Sequence, residues 1–455
     1  MSETTQDAVL RAQAAAIDKR FGEAEGICND ILARTPDEAS ALALKGMLVS
    51  RGPAHAEALA LVQRAVELRP DVGPWQSNLA LLHRQDCRME EALRCAEAAV
   101  RLQPDNPDGL VTLSLVLTDL GNDAEAMAFL LRAVGVAPEH ANAHLALAQN
   151  LLATGEFAAG WREYEWRNKT EAGLLTMPAA TSAAWNGMNL PNGKLLVVGD
   201  QGYGDTIQFA RYLPAIAKRC EAVILACSPE LAPILRDIEG VESVCTEWAQ
   251  VPPHAAYTRL SSAPYLFYGL GHDHHVVVPY LTAPRERIVH WKRHLAGREE
   301  WERFRVGLAW AGRPTHPNDR RRSLPLSMFA PLGQIPGVTF VLLHPKVSDA
   351  EMALAQELFP ELSAPLLGDF GDTAGLLENL DLVITVDTAV AHLAGGLGVD
   401  TFILLSQAPD WRWMREHNDS HWYPTVRLFR QPKPGDWAPV IAEVERELRT
   451  LVHSV

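Results

Sequence analysis

Proline recurs every 34 residues in the first third of the chain, at Pro36, Pro70, Pro104 and Pro138. A Glu-Ala pair keeps the same interval, at Glu23-Ala24, Glu57-Ala58, Glu91-Ala92 and Glu125-Ala126, and so do Ala65, Ala99 and Ala133. Several independent positions with one period imply a stack of like units, none able to bury its apolar face alone. Proline cannot continue a helix, so each unit ends there. Alanine lets two helices approach closely where they cross. The expected unit is therefore a helical hairpin. Four such units span about residues 5 to 138, and a fifth opens at Ala141 but departs at Ala159-Gly160, where Glu-Ala was due.

A 34-residue hairpin with small residues at its crossing and proline at its close is the tetratricopeptide signature. Such arrays curve and offer a concave groove to a peptide or another protein. The same pattern also suits an array that dimerises or braces its neighbour. Residues 155–167, GEFAAGWREYEWR, are aromatic-rich and helical, and are expected to cap the solenoid of residues 5–167 and dock it on the next domain. Residues 168–193, rich in Ala, Thr, Pro, Asn and Gly, read as a linker.

Beyond the linker, strand and helix alternate. Strands are expected at 195–198, 222–227, 241–246 and 276–280, then in a second series that starts at Arg305 (RVGLAWAG) and continues at 338–343, 381–386 and 401–405. A helix is expected over 206–219 with a bend at Pro214, and a last one over about 436–451. Two successive doubly wound units predict two Rossmann-like domains, 194–300 and 301–455, facing across a cleft at the carboxyl ends of their strands. The fold class expected for the whole chain is thus α + α/β, a helical solenoid followed by a Rossmann-like pair.

The segment DLVITVDTAVAHLAGGLGV, residues 381–399, is the clearest site signal. A buried strand stops at Asp387-Thr388 and feeds a helix through Ala389 and Val390, so backbone N–H groups and a positive dipole end face whatever lies above the sheet. Phosphate binds at such places. His392 falls one turn on from Thr388. An ordinary strand–cap–helix unit would look the same.

Upstream, the loop GDQGYGD (Gly199 to Asp205) contains Gln201, Gly202 and Gly204 and follows the first strand. It lacks the Gly-Lys-Ser/Thr of a P-loop and the spacing of GxGxxG. It offers Asp205, which can be a general base toward a hydroxyl or simply an N-cap for the next helix. The cluster WAGRPTHPNDRRRS brings Arg313, His316, Asn318, Arg320, Arg321, Arg322 and Ser323 after another strand. Arginines there can neutralise a diphosphate, or form a solvated charge run. Trp411-Arg412-Trp413 and Trp422-Tyr423-Pro424 are dense in aromatics that suit core packing more often than stacking on a base, with Arg412 within possible reach of a donor.

The net charge of −15 argues against a general nucleic-acid or anionic-membrane binder, since phosphate backbones need a basic face. Glu3, Asp7, Arg11 and Asp18 interrupt any leader-like apolar run, and no stretch approaches the ~18 residues of a membrane span. Six cysteines lie scattered without a CxxC pair, as expected of buried thiols in a cytoplasmic protein. His272, His274 and His275 form a GHDHH stretch that reads as a polar loop rather than a metal site.

In order, GDQGYGDTIQFARYL, GLAWAGRPTHPNDRRRSLPL, DLVITVDTAVAHLAGGLG, DWRW and WYPTVRLFRQ resemble the bacterial tetratricopeptide-repeat glycosyltransferases. These are similar to lipopolysaccharide heptosyltransferases and, more distantly, to O-linked N-acetylglucosamine transferase. The resemblance implies a GT-B fold and an enzyme that holds a nucleotide-sugar without a metal or other cofactor. It implies that Gly204-Asp205 matches the Gly-Asp whose aspartate is the proposed base. Asp387, Thr388, Ala389, Val390 and His392 match the donor diphosphate turn, and the run from Arg320 to Ser323 a basic phosphate contact. It further implies a protein acceptor in the repeat groove, with flagellin a candidate; a lipid or polysaccharide acceptor, or an inactive scaffold, are the alternatives. Ala389 replaces a glycine usual in heptosyltransferases, Asp400 a proline and His344 a glutamine, departures that bear on donor identity more than on fold.

Overall fold

The computed structural model describes residues 3–175, 182–269, 278–296, 303–314, 316, 318–344 and 346–453. The GHDHH histidines lie outside the described residues, as does much of the expected linker's middle. The chain divides into two compact units, residues 1–150 with 313–321, and residues 151–312 with 322–455.

The first unit is a run of antiparallel helix pairs: Thr5–Ile17 with Phe21–Arg34, Ala39–Val49 with His55–Leu68, Gly73–Gln85 with Met89–Leu102, and Pro107–Asp119 with Asp123–Val136. Helix Ala141–Ala153 opens the next. The periodic alanines are the contacts that close each pair: Ala24, Ala58, Ala92, Ala126, Ala65 and Ala133 are wholly buried, and Ala99 nearly so. The periodic prolines act through the residue before them. Thr35, Arg69, Gln103 and Ala137 leave the helical region with φ between −139° and −135°. This is the extended conformation that a following proline ring enforces. At Gly46 the helices touch so closely that a Cβ would come 2.6 Å from Val62 Cγ2.

The second unit is α/β. Its strands are β1 (Ala183–Ala184), β2 (Leu190–Val198), β3 (Cys220–Ala226), β4 (Val241–Cys245), β5 (Ala256–Arg259), β6 (Phe304–Ala309), β7 (Val338–Leu342), β8 (Leu362–Ser363), β9 (Leu382–Val386), β10 (Thr401–Leu405) and β11 (Val426–Arg430). Among the described residues they form two sheets, ordered β1-β5-β2-β3-β4 and β11-β10-β9-β6-β7-β8. All of their strand pairs are parallel. β9 and β10 are buried at every position, as continuous apolar strands covered on both faces must be.

From β2 in one sheet and from β6 in the other the chain runs outward, then returns to the other side of that strand. The order reverses between β2 and β5 in one sheet, and between β6 and β9 in the other. Ligands of open α/β sheets bind beyond the carboxyl ends of strands at such reversals. The loops that matter therefore follow β2, β5, β6 and β9.

Two expectations need correction. Residues 278–280 of the strand expected at 276–280 are not strand, because Pro279 has no N–H for a ladder; β5 fills that place in the sheet. The single bent helix expected over 206–219 is two short helices, Tyr203–Phe209 and Leu213–Ala217, joined by a 3₁₀ turn before Pro214. The expected capping helix, Phe157–Tyr164, belongs to the second unit, where the buried Trp161 meets Trp411 edge-on at 5.2 Å and Phe209 at 6.1 Å.

Candidate functional site

The loop after β2 is built for close approach and is pinned at several points. At Gly199 a Cβ would sit 2.9 Å from Thr206 Cγ2, so only glycine lets the strand end meet the following helix. Asp200 is buried and accepts hydrogen bonds from Ser261 N at 3.1 Å and Ser261 Oγ at 2.5 Å, just beyond β5. Gln201 takes a left-handed conformation, φ 65°, and its side-chain oxygen accepts from the Tyr164 hydroxyl at 3.1 Å. Gly202 starts the helix, and its N–H donates to Asp205 Oδ2 at 2.9 Å. Asp205 thus does the capping work anticipated for it, but from the third helical position rather than as the cap itself.

The same carboxylate has a second partner. Arg412 Nη2 donates to Asp205 Oδ1, its Nη1 to Asp410 Oδ1 at 2.8 Å, and its Nε to Gln208 Oε1. The guanidinium lies 4.2 Å from the centre of the Trp411 ring. Burial lifts the Asp205 carboxyl above its ordinary value, and Arg412 opposes the lift. Asp205 keeps 23% of its side-chain surface, enough for a hydroxyl to reach it.

Across from this loop, β9 ends at Val386, Asp387 follows, and helix Ala389–Leu397 begins. Thr388 caps that helix without a side-chain bond to it; its hydroxyl instead meets Thr385 Oγ1 at 3.1 Å. The positive end of the helix is left open to a ligand. Burial, and then the neighbouring Asp410, push the Asp387 carboxyl up to about 6, with Arg322 acting the other way. Arg322 Nη1 donates to Asp387 O at 2.8 Å.

His392 is buried and stacks on Trp413 with ring centres 5.2 Å apart; its Nδ1 faces the Tyr423 hydroxyl at 2.9 Å. Burial and the arginines 412, 211 and 322 hold its pKa well below the ordinary histidine value. It is a neutral hydrogen-bonding ring at pH 7 and contributes no cationic charge. The two halves of the site meet here. A Cβ on Gly204 would lie 2.8 Å from His392 Cδ2 and 3.6 Å from Ala389 Cα.

The structure brings together Asp205, Gln201, Gly202, Gly204, Arg322, Asp387, Thr388, Ala389, Val390, His392 and Arg412 around the reversal points of the two sheets. The remaining candidates have other surroundings. Arg313, Asn318 and Arg320 lie in the stretch that packs with the helical array, where Arg320 pairs with Asp86 at 3.1 Å and Arg321 with Asp119 at 2.8 Å. Asn318 O accepts from Arg321 N, and Asn318 N donates to His316 Nδ1. Ser323 Oγ accepts from Gly312 N at 2.9 Å and so closes the base of that excursion. Trp411, Trp413 and Tyr423 are at most 3% exposed, so packing is their use.

Four participants escaped the sequence reading: Asp410, Gln208, Tyr164 and Asp200. Asp410 had a local signal, since an aspartate two residues before an arginine caps the turn that carries it. His344 is also of interest. It accepts from Trp310 N at 3.0 Å beyond β6, and burial depresses it to about 4.

Among the described residues no helix is long and apolar enough to cross a membrane. The tetratricopeptide repeat family pattern matches residues 107–140. The chain is similar to Protein FlbA of Caulobacter vibrioides (strain ATCC 19089 / CIP 103742 / CB 15), 26% identical over 451 residues that cover 85% of this chain and 74% of that one. Among solved structures it resembles TTC0263, a thermophilic TPR protein in Thermus thermophilus, at 18% identity over 37% of this chain and 92% of that one, with a TM-score of 0.33. YrrB, a TPR protein with an unusual peptide-binding site, is similar at 14% identity over 36% and 86% of the two chains, with a TM-score of 0.30. Residues 107–140 are thus a tetratricopeptide repeat, set in a helical array followed by an α/β unit of two parallel sheets.

Proposed function

We propose that this chain is a metal-independent glycosyltransferase of the GT-B kind, which moves a sugar from a nucleotide-sugar to a protein acceptor recognised by the helical array. The observation that carries the reading is the meeting of a carboxylate loop with an open helix N-terminus, flanked by Arg322 and Arg412. Asp205 takes the acceptor hydroxyl proton as that oxygen bonds to the anomeric carbon. The bond from the anomeric carbon to the diphosphate breaks, and its electron pair leaves with the nucleoside diphosphate. An open helix end contributes only ~0.3–1 kcal/mol toward such a charge at a surface site, so Arg322 and Arg412 supply the larger share. The array supports a protein as acceptor, with flagellin a candidate, and six free thiols support a cytoplasmic setting.

Thermal unfolding in the presence of UDP-, GDP-, ADP- and CMP-sugars tests the donor half of this reading. One of them at 100 times its Kd should add roughly 2.7 kcal/mol, with or without EDTA. A strict requirement for Mn²⁺ or Mg²⁺ would contradict it. One observation favours a second reading, a repeat scaffold without activity: Asp205 is neutralised by Arg412 as the structure stands. Stabilisation by none of the donors would support that alternative.

A further inference from the structure

A general base is weakened by a cation bound to it, and both oxygens of Asp205 are already engaged. Its Oδ2 accepts from Gly202 N at 2.9 Å, and its Oδ1 accepts from Arg412. Arg412 for its part has an anchor that does not depend on Asp205. Asp410 Oδ1 accepts from Arg412 N at 3.1 Å and from Arg412 Nη1 at 2.8 Å, and Trp411 covers the guanidinium face. One end of the guanidinium is therefore fixed, while the Nη2 end holds the carboxylate. Arg412 also acts on Asp387 and His392, the residues on either side of the open helix end at Thr388. Resting on the reading of this site as a nucleotide-sugar site, we infer that Arg412 is a positioning residue that gates Asp205. Its Nη2 holds the carboxylate; a nucleoside diphosphate at the helix N-terminus takes the Nη2 end, and Asp205 is released to meet the acceptor.

Electrostatics favour the exchange. A diphosphate carries more charge than one carboxylate and competes for the Nη2 donor, while Nη1 and Nε keep Asp410 and Gln208. Asp410 holds the arginine against drift, so the movement required is a reorientation about an anchored side chain. The released carboxylate is left among groups that make it more basic. Asp410 lies in the turn that carries Arg412, and Asp200 in the loop of Asp205 itself. Across Gly204 stands His392, whose neutral ring supplies no replacement charge. Burial without its cation raises a carboxylate's proton affinity, which is what proton abstraction from a hydroxyl needs. The gate also orders the reaction. Acceptor arriving first finds a neutralised carboxylate, and donor is not activated until its own diphosphate has unlocked the base.

The test is calorimetric titration with UDP, GDP, ADP and CDP, on the full chain, in buffers of different ionisation enthalpy. For the nucleoside diphosphate that binds, wild type should take up more protons per mole bound than Asp205→Asn does, because only wild type frees a carboxylate. Asp205→Asn should bind it more tightly, on the order of tenfold, since no ion pair must be broken first. Asparagine keeps the acceptor for Gly202 N, and an unchanged melting temperature without ligand verifies that the variant folds. Arg412→Gln should lose tenfold or more in affinity. Equal proton uptake and equal affinity in wild type and Asp205→Asn would overturn the gate while leaving the donor site intact. Absence of binding by all four to wild type would sink the transferase reading itself, and the gate with it.

Discussion

Asp387 sits in surroundings that work against its own charge, and pH exposes this. Its folded value of about 6 lies above the 3.8 of an unperturbed aspartate. The folded state therefore holds the proton more tightly than the unfolded one, so this residue's contribution to stability falls as pH rises from about 4 to 6. Above that window the full cost of the buried charge is present; below it the cost is gone. Asp387→Asn is expected to be more stable than wild type at pH 8, by on the order of 2 kcal/mol, and nearly equal to it at pH 4. Chemical denaturation at the two pH values checks the sign. At Asp205 the same substitution separates base from cap: Asp205→Asn keeps the helix start yet should lose about 10²–10⁴-fold in turnover. Near-full turnover with saturating donor would move the base elsewhere. Both aspartates were legible in the sequence because each follows an apolar strand at a turn. Their partners were not. Arg412, Tyr164 and Asp410 reach the loop from 207, 37 and 205 positions away, and no local pattern encodes such encounters.

At the scale of elements, the glycine in the first turn of helix Tyr203–Phe209 and the helix after β9 fit each other so tightly that one methyl group is too many. Gly204→Ala places a Cβ 2.8 Å from a histidine ring that Tyr423 and Trp413 hold in place. Overpacking of that kind typically costs ~1–3 kcal/mol, and donor affinity should fall with it because the two sides of the site are forced apart. The arginine run behaves as two elements, which its sequence conceals. Arg320 and Arg321 pair with Asp86 and Asp119 of the helical array, whereas Arg322 reaches the end of β9. Arg322→Ala should weaken nucleotide binding. Arg320→Ala, exposed and singly paired, should leave binding unchanged and cost at most ~1 kcal/mol in stability. Titrating both variants with one nucleoside diphosphate distinguishes them. Periodicity made the helical hairpins readable, since each proline and alanine acts within its own unit. β5 and the divided helix after β2 were harder, because short strands and proline-bounded turns carry little periodic signal.

For the whole molecule, the proposed function assigns acceptor recognition to the helical array and chemistry to the α/β unit. Removal of residues 1–138 should preserve stabilisation by donor while abolishing modification of a protein acceptor. Equal loss of both would make the array a structural support for the other unit. The most direct measurement is transfer itself. The full chain is incubated with sugar-labelled UDP-, GDP-, ADP- and CMP-donors and a protein extract that includes flagellin, and label is counted in the protein fraction. A glycosyltransferase with Asp205 as its base should give label from one donor, in the presence of EDTA, and lose it with Asp205→Asn. No label in protein from any donor, or label that survives Asp205→Asn undiminished, would contradict that assignment.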